Sequence, residues 1–342
     1  MAHLHTKVWT IDALPNPQIQ EAAELLQQGQ TVAFPTETVY GLGADATNEK
    51  AVRSIFEAKG RPSDNPLIVH IGSRDVLKQY VKDVPAQASK LMDAFWPGPL
   101  TIILPSNGTL ATNVTAGLDT IGMRMPDHPY AIELLQACAL PIAAPSANRS
   151  GKPSPTTAEH VYHDLNGRIA GIVDGGRTGV GVESTVIDCT LDKPMILRPG
   201  GVTQSDIETA IGPVDLAPSV VKKDEQPRSP GMKYKHYAPD APIWIVRGGS
   251  DRMREVALEA QQQGKHVQFL VSQERAEELG LNEALILGSQ KNLADITSNL
   301  YDSLRQVDRL DVDLVLAESF SKKGIGEALM NRLERAATKV VQ

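Results

Sequence analysis

The chain has 342 residues, more than one hydrophobic core usually organises, so two domains are expected, each large enough to bury a core of its own. With 41% apolar and 22% charged residues, it has the balance of a globular protein and not of a disordered or fibrous one. The formal net charge of −7 argues against a surface that grips nucleic acid throughout, while leaving room for a local basic pocket and a small anionic substrate.

The first residues hold His3 and His5 but no continuous apolar run, so no secretory leader is expected and the two histidines read as part of a frayed terminus. No stretch reaches the ~20 apolar residues of a membrane span, which predicts a cytoplasmic protein with no membrane partner. Helical spacing over 17–28, closed by Gly29, leads into a buried strand at 31–34. Asn48 caps a second helix that ends near Lys59 and Gly60, and Pro66 introduces a strand over 67–71. Further strands are predicted at 100–104, 120–124, 142–144, 171–173, 185–188 and 195–197, with helices at 129–138 and 157–165. Between 213 and 242, prolines, charges and aromatics mix without either period, which marks a connecting segment. The domains are therefore placed at 1–212 and 242–342, joined by a linker over 213–241. Beyond the linker, short apolar runs at 243–246, 266–271, 284–287 and 312–316 alternate with helical stretches, predicting a small parallel sheet covered by helices. The two cysteines, Cys138 and Cys189, sit among apolar or small residues; two thiols build neither a disulfide framework nor a four-ligand zinc site, so both read as packing residues.

Chemistry is sought in loops at strand ends, where α/β chains place their ligands. The segment Pro35-Thr36-Glu37-Thr38-Val39-Tyr40-Gly41-Leu42-Gly43 follows a strand directly, and reads either as a ligand loop whose glycines admit a close backbone approach or as a structural turn. Lys59-Gly60-Arg61-Pro62-Ser63-Asp64-Asn65-Pro66 sets two cations around a glycine in a stiffened loop, which suits a polyphosphate or a solvated basic loop. No Walker-type loop is present. Pro145-Ser146-Ala147-Asn148 and the Ser/Thr-rich run through Ser154 offer hydrogen-bonding groups without an adjacent histidine or carboxylate, which weakens a serine-hydrolase reading. Asp174-Gly175-Gly176-Arg177, Glu183-Ser184-Thr185 and Arg198-Pro199-Gly200 repeat the pattern, and several such loops in one domain can converge on one pocket. Arg124 suits a bidentate carboxylate contact or a surface ion pair, and His70 suits a ligand or a structural role. Paired metal-ligand spacings are absent, so a divalent ion is expected to arrive with a nucleotide.

Taken together, PTETVYGLG from Pro35, KGRP from Lys59 with NPL following, FWPGPLT from Phe95, PSAN from Pro145 with SGKPSPTT, and ESTV from Glu183 resemble the YrdC-like threonylcarbamoyl-AMP synthases. The resemblance spans nearly all of 17–212, and the linker run 229–239 with the following βα domain is similar to the longer, two-domain branch. It implies an open twisted α/β catalytic domain plus a smaller Rossmann-like C-terminal domain. It implies a reaction in which the amine of L-threonine captures carbon dioxide or bicarbonate and the carbamate attacks the α-phosphate of ATP, releasing pyrophosphate. Thr38, His70, Arg124, Ser184 and the backbone near Ala144 would contact threonine. Arg61, Asn65, Thr120, Ser146, Ser154, Arg198 and the linker residue Tyr234 would contact ATP, with Lys59 as a phosphate cation. Lys59 and Arg61 would carry the electrostatic catalysis together with Mg²⁺. The linker bearing Tyr234 would act as a lid over labile intermediates. The product would supply tRNA N6-threonylcarbamoyladenosine modification, making tRNA or a downstream tRNA-modifying complex an expected partner. A non-catalytic RNA-binding YrdC-like module is the alternative, and a different carbamoyl transferase ranks below it.

Overall fold

The computed structural model describes residues 4–218 and 237–342. The chain divides into two compact units, with 151–153 and 180–182 grouping with the C-terminal one.

In the first unit the chain runs through β1 (Lys7–Thr10), α1 (Pro17–Gln27), β2 (Val32–Phe34), β3 (Gly41–Asp45), α2 (Glu49–Lys59), β4 (Ile68–His70), α3 (Ala86–Phe95) and β5 (Leu100–Pro105). It continues through α4 (Thr112–Thr115), β6 (Thr120–Arg124), α5 (Pro129–Cys138), β7 (Ile142–Ala143), α6 (Ala158–Leu165), β8 (Gly171–Asp174), β9 (Thr185–Asp188), β10 (Met195–Arg198), α7 (Gln204–Ile211) and β11 (Asp215–Leu216). The strands form one mixed eleven-stranded sheet in the order β1-β8-β2-β3-β7-β4-β6-β5-β9-β10-β11.

Alternation along the strands decides what covers each face. Ala33, Leu42, Val69, Ile102, Met123, Ile187 and Ile196 point into one large core, closed by Val52 and Ile55 of α2, Leu91 of α3, Val161 of α6 and Ile207 of α7. On the opposite face, Val32, Phe34, Ile142 and Val173 pack beneath Ile19 and Leu26 of α1 and Leu134 of α5. Farther along that face, over β4, β5, β9 and β10, the buried apolar cluster is only Ile68, Ile103, Val186 and Leu197, with no helical residue in it. Thr101, Ile103, Thr120, Gly122 and Val186 line a cleft there with Pro66, Leu67, Ile68 and Leu118. Among the described residues, no helix covers this stretch of that face.

Two sequence expectations are corrected. The terminus is ordered from Thr6, whose buried hydroxyl donates to Ile169 O at 2.8 Å, and Lys7–Thr10 pairs in parallel with β8, so His5 precedes an edge strand. The Gly41–Gly43 stretch is not loop but β3, antiparallel to β2. A Cβ on Gly43 would lie 2.8 Å from Ile142 Cγ2 and 2.9 Å from Phe34 Cε1, so this glycine serves close packing between strands and not the approach of a ligand.

The second unit runs β12 (Ile243–Val246), α8 (Ser250–Gln262), β13 (Val267–Val271), α9 (Gln273–Leu279), β14 (Leu285–Ile286), α10 (Leu293–Val307), β15 (Leu314–Glu318), α11 (Gly326–Ala336) and β16 (Lys339–Val341). Its sheet has the order β14-β13-β15-β12-β16, every neighbouring pair parallel, as repeated βα units require. Glu318, buried where β15 ends, accepts from Ser272 N at 2.8 Å and Gln290 Nε2 at 2.5 Å and so ties three strand-end loops together. No helix among the described residues is long and apolar enough to cross a membrane.

Candidate active site

Several residues singled out from sequence stand on the strands of this stretch or beside them. His70 ends β4, and the parallel register of β4 with β6 sets it beside Arg124. Both are buried, as is Thr38 in the loop before β3. Arg124 Nη1 donates to Thr38 Oγ1 at 3.0 Å and Nε to Gly98 O at 3.4 Å, while Nη2 lies 2.7 Å from Glu37 Oε1. Thr36 Oγ1 and Thr38 Oγ1 are 2.8 Å apart, and the Thr36 hydroxyl donates to Val39 O at 2.7 Å, which fixes the turn that presents Glu37 and Thr38. Burial, and then the nearby Arg124 charge, pull the His70 imidazole down to about 3, so the ring is neutral throughout the physiological range. Its Nδ1 is buried without a hydrogen-bond partner, and the ring meets Phe34 edge-on at 6.1 Å.

The Glu183–Thr185 segment makes a second cluster. Ser184 Oγ is 2.8 Å from Thr101 Oγ1, and Arg198 donates to Ser184 O from Nε at 3.1 Å and from Nη2 at 2.9 Å, with Nη2 also 3.2 Å from Ser184 Oγ. Ser154 Oγ donates to Glu183 Oε1 at 2.5 Å. Gly200 closes over this segment so tightly that a Cβ there would sit 2.2 Å from Thr185 N and 2.6 Å from Glu183 O.

Lys59 is the last residue of α2, whose N-terminus Asn48 caps through Lys50 N and Ala51 N and whose C-terminus ends on Gly60 at φ +63°. Its buried ammonium donates to Ser146 O at 2.5 Å, Asn148 O at 2.7 Å and Asn148 Oδ1 at 3.2 Å. Ser146 Oγ donates to Asn148 Oδ1 at 2.6 Å. The lysine thus organises the 145–148 loop through that loop's own acceptors. Ala144 is buried at the loop's entrance, its N–H donating to Ile68 O at 2.9 Å. Asn65 is 1% exposed, yet neither its amide oxygen nor its nitrogen has a hydrogen-bond partner, the signature of a polar group facing a binding region. Arg61 is half-buried just past the cap of α2, and Thr120 opens β6 on the cleft. Tyr234 lies outside the described residues.

Five profile and relative matches bear on these features. The family described as telomere recombination, Sua5/YciO/YrdC, matches residues 24–200. The chain belongs to the Sua5/YciO/YrdC family. Residues 202–338 match the C-terminal domain of threonylcarbamoyl-AMP synthase, so this member carries the additional domain. A Bacillus subtilis protein named threonylcarbamoyl-AMP synthase is 52% identical over 340 residues, 98% of each chain. A Pyrococcus abyssi protein of the same name is 47% identical over 94% of each. The crystal structure of P. abyssi Sua5 complexed with L-threonine superposes with a TM-score of 0.92 at 45% identity, covering 98% of this chain and 99% of that one.

Residues that sequence reading left without a role are prominent in this Sua5/YciO/YrdC site. Glu37 pairs with Arg124, Thr101 holds Ser184, Glu183 holds Ser154, and Asn148 takes the Lys59 ammonium. Glu37 and Glu183 each stand beside a singled-out hydroxyl residue in their motifs, a signal that was available. The partnership of Thr101 with Ser184 depends on the parallel pairing of β5 with β9, which no local pattern announces.

Proposed function

We propose that the chain is an L-threonylcarbamoyladenylate synthase, converting L-threonine, bicarbonate and ATP to threonylcarbamoyl-AMP, pyrophosphate and water. The observation that carries this reading is the buried Thr38–Arg124–His70 group at the ends of β4 and β6, in a chain so similar along its whole length to a protein crystallised with L-threonine. Arg124 receives the substrate carboxylate, and Thr38, His70, Ser184 and the backbone at Ala144 surround the rest of the amino acid. A neutral His70 suits this role, because it adds no second cation beside Arg124.

Arg61, Asn65, Thr120, Ser146, Ser154, Arg198 and Tyr234 contact ATP in this proposal. Lys59 supplies positive charge and holds Ser146 in place, and Arg61 faces the phosphates. Displacement at the α-phosphorus asks for in-line positioning and charge compensation rather than a covalent nucleophile. Among the described residues no group of three or more His, Cys, Asp or Glu could hold a metal ion. Mg²⁺ enters this reading as a companion of the triphosphate. The product is a mixed anhydride, and the natural consumer is an enzyme complex that modifies tRNA.

The test is pyrophosphate release by the purified protein with and without L-threonine and bicarbonate. Release that requires both supports the reading. Folded protein that releases none under any combination, yet binds RNA in a salt-sensitive way, would replace it with a non-catalytic RNA-binding role.

A further inference from the structure

Beside the Arg124 guanidinium stands the Glu37 carboxylate. Glu37 Oε1 lies 2.7 Å from Arg124 Nη2, but the pair is not aligned as a hydrogen bond. Both Glu37 oxygens are buried without a donor, and Nη2 is without an acceptor. The remaining nitrogens of Arg124 are directed elsewhere, Nη1 to Thr38 Oγ1 and Nε to Gly98 O. A buried ion pair is stable only when its outstanding hydrogen bonds are met, and this one, although its charges face each other at 2.7 Å, leaves hydrogen-bonding capacity unmet at both ends. The cation needs an acceptor and the anion needs donors. An α-amino acid zwitterion carries both, one carboxylate and three ammonium N–H groups on adjacent atoms.

We infer that Glu37 receives the α-ammonium of the amino-acid substrate and takes its proton, while Arg124 holds the carboxylate. The inference rests on the proposed function and names, within that site, the group that tells an amino acid from a hydroxy acid. The step is balanced: an N–H bond of the ammonium breaks toward Glu37, giving a neutral amine and a carboxylic acid. The freed lone pair then forms the N–C bond with bicarbonate, giving the carbamate and water. The other titratable groups nearby are His128, which feels Glu37 and Asp127, and His70, which feels Arg124. Burial lowers His128 below its ordinary value, so at neutral pH it adds little competing positive charge.

Calorimetry tests the recognition with two ligands, L-threonine and (2S,3R)-2,3-dihydroxybutanoate, which keeps the carboxylate and both carbons' stereochemistry but replaces the amine with a hydroxyl. The native protein should prefer threonine by about 30-fold or more, E37Q by about threefold or less, and E37D should keep part of the preference. An unchanged preference in folded E37Q overturns the inference even if both ligands bind more weakly. Native protein that binds neither ligand overturns the proposed function itself. The pH profile tests the proton: threonine-dependent pyrophosphate release by E37Q should recover relative to native protein as pH rises and free amine accumulates. A deficit that stays constant with pH assigns Glu37 a structural role only.

Discussion

Two clusters of the first unit use the same residue types to opposite ends. Around Lys59 and Arg198, cations are spent on backbone carbonyls of Ser146, Asn148 and Ser184, so charge holds loops in shape. At Arg124 Nη2, the Asn65 amide and His70 Nδ1, buried polar atoms lack hydrogen-bond partners. Groups already satisfied fix geometry, whereas groups left wanting are where a ligand gains most, because each new hydrogen bond removes an existing penalty.

Substitutions can break this contrast. Arg124→Ala should have the largest effect, since it strands the Glu37 carboxylate, whose oxygens are both buried: a loss of about 3–5 kcal/mol in denaturant unfolding together with loss of threonine binding. Arg124→Lys should restore much of the stability but not the binding, because one ammonium cannot reproduce the fork. Gly200→Ala comes next. Its Cβ would press on Thr185 N, and the backbone must move, costing up to ~3 kcal/mol and raising KM for both substrates. Lys59→Met keeps the shape but leaves the loop acceptors unmet; about 2 kcal/mol is expected, with KM for ATP rising more than KM for threonine.

A further effect appears only in acid. His70 is held near 3 in the folded protein against an ordinary value of 6.5. The unfolded chain therefore takes up a proton first, and stability should fall as pH drops from about 6.5 toward 3, with no contribution above that window. Unfolding curves over this range should show a shallower fall in His70→Asn. An equal fall in both proteins would mean that other groups carry it.

Much of this architecture was legible in the sequence because its signals are local. Asn48 and Gly60 bound α2 where capping rules place them, and the C-terminal βα alternation gives a parallel sheet. β3 was not, because Gly-Leu-Gly-Ala lacks the branched residues that mark strands and is extended only through its partners β2 and β7. α3 starts at Pro85 without a side-chain cap, and α7 uses a Thr203–Asp206 capping box in place of the usual Glu or Gln. β11 pairs with β10 inside what reads as linker. The burial of Cys138 and Cys189 follows from their apolar surroundings, which push the thiols up to about 11 and about 12. In the site, residue types could be nominated one by one, but the pairing of Glu37 with Arg124 joins positions far apart in the chain, and only the sheet brings them together.

Lys59 meets the 145–150 segment twice, through its ammonium and through its carbonyl, which accepts from Ser150 N at 2.9 Å. Helix and loop are thus one inherited part. A chimera that exchanged the Pro145–Asn148 motif between family members while leaving α2 behind would receive the letters of the motif without the splint that sets them, so the smallest portable piece of this loop includes a helix that lies nearly ninety residues upstream, as the Lys59–Asn148 spacing of 89 requires.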